Sequence, residues 1–274
     1  MGAFLGSLGN LIELTQWAES QSVKTGQDPT FFTGLDGSRT AFVQPRIGQS
    51  LREWEVSMTK ARPRHAAAFQ ALCVGAYGEG PFAFCDPLAQ VTNLLTPRQS
   101  LLDPGSLSRG SASYTRTQVP GFGDMPSILN LSGTRRIGIG TPVLPGRPVT
   151  VSAWVVCPDP VTVTAQCMNA FGGWTNNSKS KSAAAPSGAW VHATVVPSFE
   201  AAQVDLRIDA ASAVTIACPA ITWTPQPMPW SPGRGAAQVV VHGLQENIEQ
   251  ASPWGDGRQR LSYSATVTEV GSGA

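Results

Sequence analysis

The chain is short of charge. Asp, Glu, Lys and Arg make up 14% of its 274 residues, against about a quarter in an ordinary soluble domain, and the formal net charge is +1. Nucleic-acid binding needs a clustered excess of Lys and Arg to neutralise phosphates. The nearest approach to one, Lys60-Ala61-Arg62-Pro63-Arg64-His65, is a single short run, so no nucleic-acid partner is expected. Long apolar runs are missing too. None reaches the roughly 20 residues that a membrane-spanning helix needs. The first residues, Met1-Gly2-Ala3-Phe4-Leu5-Gly6-Ser7, lack the basic segment of a secretory signal and put Gly6 where a myristoylation pattern wants Ser or Thr. Neither a classical signal nor membrane insertion is expected.

Histidine is scarce, and His65, His192 and His242 stand singly, outside any metal-ligand spacing. The five cysteines, Cys73, Cys85, Cys157, Cys167 and Cys218, are odd in number and never spaced Cys-x-x-Cys. That argues against a disulfide scaffold and a structural zinc site, and fits buried free thiols folded in a reducing cytoplasm. There is no Gly-x-Ser-x-Gly elbow, no phosphate-binding Walker loop and no dinucleotide fingerprint; Gly78-Glu79-Gly80 is too little to count as one. Asp86, Asp124, Asp159, Asp205 and Asp209 read as turn formers or solvated strand positions rather than as a paired catalytic set. No enzymatic activity, cofactor or metal is expected.

What the chain has in quantity is Gly (28) and Pro (22), with 42% hydrophobic residues and 8 Trp to close a core. That is the profile of a loop-rich β protein. Period-two alternation is plain at Val149, Val151, Ala153 and Val155, at Val161, Val163, Ala165 and Cys167, and at Val204, Leu206 and Ile208 against polar Gln203, Asp205, Arg207 and Asp209. Strands are also predicted at 190–196, 214–218 and 221–224, and loops at 103–127 and 169–188. Many short strands between Pro/Gly turns, with no helical period among them, predict an antiparallel jelly-roll sandwich over the middle of the chain.

The ends read differently. Part of 1–18, together with 40–43 and 53–58, are strand candidates, Trp54, Val56 and Met58 alternating with polar neighbours. An amphipathic helix is predicted from Pro63 through Ala66, Phe69, Leu72 and Cys73 to Gly75. The stretch Gly75-Ala76-Tyr77-Gly78-Glu79-Gly80-Pro81-Phe82-Ala83-Phe84-Cys85-Asp86-Pro87 then turns, runs straight and stops, and Asn93-Leu94-Leu95-Thr96-Pro97 follows. Trp230-Ser231-Pro232-Gly233-Arg234-Gly235 closes the middle region and leads to strands at 237–242 and 261–270, joined through Trp254-Gly255-Asp256-Gly257. The pattern predicts one split domain, 1–95 with 232–274, and an insert, 96–231.

Among the aromatics, Trp154, Trp190 and Trp223 sit in strand patterns and read as structural. Trp174 stands between Gly172-Gly173 and Thr175-Asn176-Asn177, a flat apolar face beside amide donors and acceptors, which is what a sugar ring needs. Trp174, Asn176 and Asn177 are therefore the candidate carbohydrate-binding residues. The other reading of Trp174 is a plug folded into the sandwich end.

The strand Arg52-Glu53-Trp54-Glu55-Val56, the helix running into the 75–87 stretch, the 93–97 junction, and the return through 230–235 into Val239-Val240-Val241 together resemble the minor tail proteins, particularly of the distal tail type, of long-tailed (siphovirus-type) phages of actinobacteria. The resemblance implies a mainly β protein: a split belt-type β domain with one helix that forms a ring, six subunits being the family number, and an inserted galactose-binding-like jelly roll. Val149-Thr150-Val151-Ser152-Ala153-Trp154 and Pro219-Ala220-Ile221-Thr222-Trp223 in the insert are similar to carbohydrate-binding modules. It further implies assembly in the host cytoplasm, a place in the virion at the tail tip, and as partners the tail tube protein, the tape measure, the hub proteins and host cell-wall glycan. The insert then either braces neighbours or touches the cell surface. A glycan-binding module outside any ring, free-standing or attached to a carbohydrate-active enzyme, is the alternative.

Overall fold

The computed structural model describes residues 2–14, 20–25, 30–33, 38–42, 52–61, 67, 70–78, 80–104, 112–131, 133–250 and 260–270. The chain begins with β1 (Ala3–Ser7), β2 (Asn10–Leu14), β3 (Ser20–Thr25), β4 (Thr30–Thr33), β5 (Arg39–Phe42) and β6 (Arg52–Ala61). β7 (Phe82–Cys85) and two short helices, α1 (Pro87–Thr92) and α2 (Pro97–Ser100), lead to β8 (Ala112–Val119), β9 (Gly123–Asn130), β10 (Gly133–Pro142) and β11 (Val149–Cys157). Then come β12 (Thr162–Met168), β13 (Trp174–Lys181), β14 (Ala185–Val195), β15 (Gln203–Ala210), β16 (Val214–Thr222), β17 (Ala236–Gln250) and β18 (Arg260–Glu269). The protein is mainly β and its strands pair antiparallel, as its alternation predicts.

Two compact units emerge, 1–15 with 80–237 and 16–79 with 238–274. The first is a sandwich of two sheets, β10-β15-β12-β13 (the β12 sheet) and β14-β11-β16-β9-β8 (the β11 sheet). Val163, Ala165 and Cys167 on β12 and Val204, Leu206 and Ile208 on β15 meet Val149, Val151, Ala153 and Val155 on β11 and Val191, Ala193 and Val195 on β14 in one core. The second unit pairs β17 with β18, β18 with β6 and β6 with β3, and separately β4 with β5. Trp54, Val56, Leu72, Val239, Val241, Tyr263, Ala265 and Val267 are among its buried positions, and Arg52 forks onto Glu269 through Nε (2.8 Å) and Nη2 (2.9 Å). Residues 70–73 are helical. The predicted start of that helix at Pro63, with Ala66 and Phe69, and the Trp254-Gly255-Asp256-Gly257 turn lie outside the described residues.

The compact units fall elsewhere than the predicted boundaries at 95/96 and 231/232. Residues 1–15 and 80–95 belong with the sandwich because Phe4, Cys85, Ala89, Leu94 and Leu95 are part of its core. Phe4 meets Trp223 edge to face, centroids 5.2 Å apart, and the Trp223 Nε1–H donates to the Pro142 carbonyl at 3.2 Å, so Trp223 is structural as predicted. The short strand β7 does end at Asp86-Pro87, as predicted, and a helix starts there at once. Asp86 caps α1, its carboxylate accepting from Ala89 N at 2.6 Å with Pro at the first turn.

The two junction motifs clasp each other. Asn93 donates through Nδ2 to the carbonyls of Pro219 (3.1 Å) and Ser231 (2.9 Å), and its Oδ1 accepts from Leu95 N and Ile221 N, both at 3.2 Å. Arg234 N donates to the Asn93 carbonyl (2.9 Å) and Gly235 N to that of Leu95 (3.0 Å). A Cβ at Gly235 would fall on the Leu94 carbonyl oxygen, so only glycine lets the returning chain come this close. The Trp230 Nε1–H, 3.0 Å from the Pro219 carbonyl, pins the same spot.

Candidate functional site

The predicted 169–188 loop is mostly a hairpin. Residues 169–173 form a tight turn in which the Asn169 side-chain oxygen accepts from Phe171 N (3.0 Å) and Gly173 N (2.8 Å), and β13 follows at once as the edge strand of the β12 sheet. Long polar side chains hid it, because an edge strand with Asn, Ser and Lys reads as a loop. The predicted 103–127 loop likewise contains β8 and the start of β9, while the predicted strands 214–218 and 221–224 are largely one, β16, which bends at Cys218 with φ 49°.

Trp174 is 68% exposed, so it does not plug the sandwich. The register places the rest. Met168 pairs with Trp174 and Gln166 with Asn177, so β13 holds one residue more than β12 over this span, a bulge. Directly opposed side chains share a sheet face, so Trp174 and Asn177 lie on the outer face with Met168 and Gln166. Asn176 does not join them: its Nδ2 donates to the Val196 carbonyl (2.8 Å) and its Oδ1 accepts from Ser198 N (3.2 Å), tying β13 to the segment after β14. Its amide thus bonds within the fold and clamps the two segments together.

Across the β12 sheet, the outer face is built of rows. Trp174, Met168, Gln203 and Pro142 form one; Asn177, Gln166 and Asp205 the next; Lys179, Thr164, Arg207 and Arg136 a third; Lys181, Thr162, Asp209 and Thr134 the last. Asp205 is fully buried, with one oxygen on the Arg136 Nε–H and the other without a partner. Burial pushes its carboxyl above the usual range, against the pull of Arg136 and Arg207. Arg207 holds Asp209 through Nε (3.0 Å) and Nη2 (2.9 Å), and its guanidinium carbon lies 5.9 Å from the Trp174 ring centre. The Gln203 Nε2–H donates to the Asn169 carbonyl at 2.9 Å, which anchors the turn beside Trp174. At this same end Phe171 and Phe199 are 97% and 93% exposed. The strictly polar 203, 205, 207 and 209 positions were the signal for this face, and alternation alone reads them as solvated. Arg136 carried none, since β10 has three glycines in its span.

On the outer face of the β11 sheet the side chains are largely apolar instead. Trp154, Ala217, Cys218, Ala220, Val119 and Trp230 form a second apolar layer there. Phe122 stands edge to face on Trp230 (5.2 Å) and Trp190 (6.3 Å), and Trp190 on Trp154 (5.7 Å). Trp154 fits because Gly188 (φ +88°) leaves the space; a Cβ would land on the indole. His192 shares this face with Trp190 and is exposed. Cys85, Cys157, Cys167 and Cys218 are buried free thiols, while Cys73 is exposed. Burial raises Cys167 and Cys218 to about 12.

No family model and no curated sequence matches the chain. Among solved structures, the chain is similar to the enzymatically active domain of tailspike protein 4 of bacteriophage CBA120, at 10% identity and TM-score 0.38 over 48% of this chain and 21% of that one. It is similar to a carbohydrate-binding module of Cellvibrio mixtus lichenase 5A solved with cellotriose, at 11% identity and TM-score 0.33 over 44% of this chain and 93% of that one. A third is a tandem binding-module domain of Paenibacillus barcinonensis Xyn10C, at 16% identity and TM-score 0.31, covering 58% and 56%. The chain thus spans about a fifth of the tailspike. Likeness at this level says nothing about ligand or activity.

Proposed function

We propose that the sandwich is a non-catalytic glycan-binding module that takes a saccharide on the outer face of the β12 sheet, in a protein of the phage tail tip. The observation that carries the binding reading is Trp174, an exposed indole at the edge of a sheet face whose Arg136, Asp205, Arg207 and Asp209 are fixed in ion pairs. A ring stacks its C–H face on the indole and meets the exposed Asn177 amide and the Arg207 guanidinium, which Asp209 already holds in place. One stacking ring binds weakly, so a multivalent assembly gains by avidity.

The tail-tip part rests on the motif resemblance, in which the 93–97 and 230–235 elements are the ones that clasp at the sandwich base. On this reading identical subunits form a ring, six by family expectation, that joins the tail tube to the hub, with the tape measure and hub proteins as neighbours. The test is the full chain against cell-wall polysaccharide purified from an actinobacterium, with native mass measured in parallel. Binding that disappears in Trp174→Ala while the fold is kept supports the reading; equal binding by the variant overturns it. A strict monomer, alone and in assembled tails, leaves the glycan-binding module outside a ring.

A further inference from the structure

The polar face extends beyond the Trp174 corner, and its charges do not balance. Four basic side chains, Arg136, Arg207, Lys179 and Lys181, share it with two acidic ones, Asp205 and Asp209. Both acids are taken: Asp205 holds Arg136, and Asp209 accepts from Arg207 and from the Thr134 hydroxyl. Lys179 and Lys181 are exposed and, among the described residues, without an ion-pair partner. Two residues apart on one face of β13, they stand about 7 Å from each other. Beside Lys179 the Thr164 hydroxyl is buried, with Arg207 on its other side, and has no hydrogen-bond partner. A hydroxyl flanked by two cations is a donor suited to an anionic oxygen.

We propose that the saccharide this face takes is anionic, carrying carboxylate or phosphate groups held by Lys179 and Lys181 while a sugar ring lies on Trp174. The inference rests on the glycan-binding reading above and names its ligand class. The span fits: Met168 to Thr164, which pair with Trp174 and Lys179, is four residues, roughly 13 Å at the strand rise of about 3.3 Å, the reach of a few linked rings. A neutral glycan would leave both ammonium groups without a counterpart. Lysines on an edge strand also discourage edge-to-edge pairing, and a binding measurement separates that role from this one.

The test is titration calorimetry of the full chain with polygalacturonate and poly(glycerol phosphate) as the two anion sources, dextran as the neutral glycan and inorganic polyphosphate as the sugar-free anion. The expected result is that one anionic glycan binds at least about tenfold tighter than dextran, falls off with salt, and loses at least about tenfold in Lys179→Gln/Lys181→Gln, as removal of two charge-assisted contacts implies. Trp174→Ala weakens the same binding, and the preferred polymer tells carboxylate from phosphate. Dextran bound as tightly as the anionic glycans, or no effect of the lysine substitutions, overturns the proposal and leaves glycan binding standing. Polyphosphate bound equally well and without dependence on Trp174 overturns it in favour of unspecific charge attraction. If no glycan binds, both readings fall.

Discussion

The two outer faces of the sandwich start from the same kind of sequence and end differently. On β11 and β14 the positions that alternate with the core carry Thr150, Ser152, Trp154, Trp190, His192 and Thr194; on β12 and β15 they carry Thr164, Gln166, Gln203, Asp205 and Arg207. The β11 face acquires a second apolar layer under Trp230 and Phe122, beside the clasp through which the chain enters and leaves. The β12 face is finished by ion pairs and keeps its one large aromatic exposed at the edge. An apolar layer closed over a face serves stability, while the exposed Trp174, Asn177, Lys179 and Lys181 at the edge of the polar face are available for recognition even though Thr164, Gln166 and Asp205 in its middle are buried. Tryptophan occurs on both, so residue type alone does not separate them; the packing around each ring does, with Trp154 6% and Trp174 68% exposed.

The sharpest way to break this comparison is to truncate one tryptophan on each face. Trp154→Ala empties a buried site and is expected to cost about 3–5 kcal/mol, read as a lower urea midpoint. Trp174→Ala should shift stability by less than about 0.5 kcal/mol, as exposed substitutions do. Its effect should be on glycan affinity, which falls at least about fivefold through loss of the stacking contact. Similar stability losses in both variants would erase the distinction.

Asn93→Ala tests the clasp. It removes side-chain bonds to Pro219, Ser231, Leu95 and Ile221 in a buried site, an expected loss of about 3 kcal/mol that leaves glycan affinity unchanged in protein that remains folded. Thermal melting with parallel binding checks both parts. An unchanged melting temperature means that the junction is held elsewhere.

The smallest effect sharpens the polar face. Burial raises the Asp205 carboxyl above its ordinary 3.8, so the folded chain takes up that proton more readily than the unfolded chain. The group's contribution therefore improves as pH falls from neutral through the raised value, and is complete below 3.8. Asp205→Asn cannot titrate. The stability of wild type relative to this variant is expected to rise on acidification, measured by urea unfolding across the range; a fall would mean that Arg136 dominates and holds the carboxyl low.

Much of the fold was legible because β11, β12 and β15 alternate cleanly and their apolar halves form the core. β13 was not, since Asn, Ser and Lys on an edge strand lack the apolar half that marks a strand. Of the candidate site, the exposure of Trp174 was legible and the orientation of its neighbours was not. Trp174 between small residues does stand exposed beside amides, but the bulge opposite Cys167 turns Asn176 away and brings Asn177 round, and no spacing rule sees a bulge. Asp205 was read as solvated because alternation separates the two faces of a sheet without saying whether the outward one is covered. The period changes near 95 and 231 fall where the 93–97 and 230–235 junctions close on the sandwich itself, so they mark where its core is completed.

Hydrogen–deuterium exchange of the full chain, free and saturated with actinobacterial cell-wall polysaccharide, tests the central claim most directly. The expected result is protection at 162–181 and 203–209, with 149–157 and 189–195 unchanged. Protection confined to the latter segments would place the ligand on the β11 face and contradict the account.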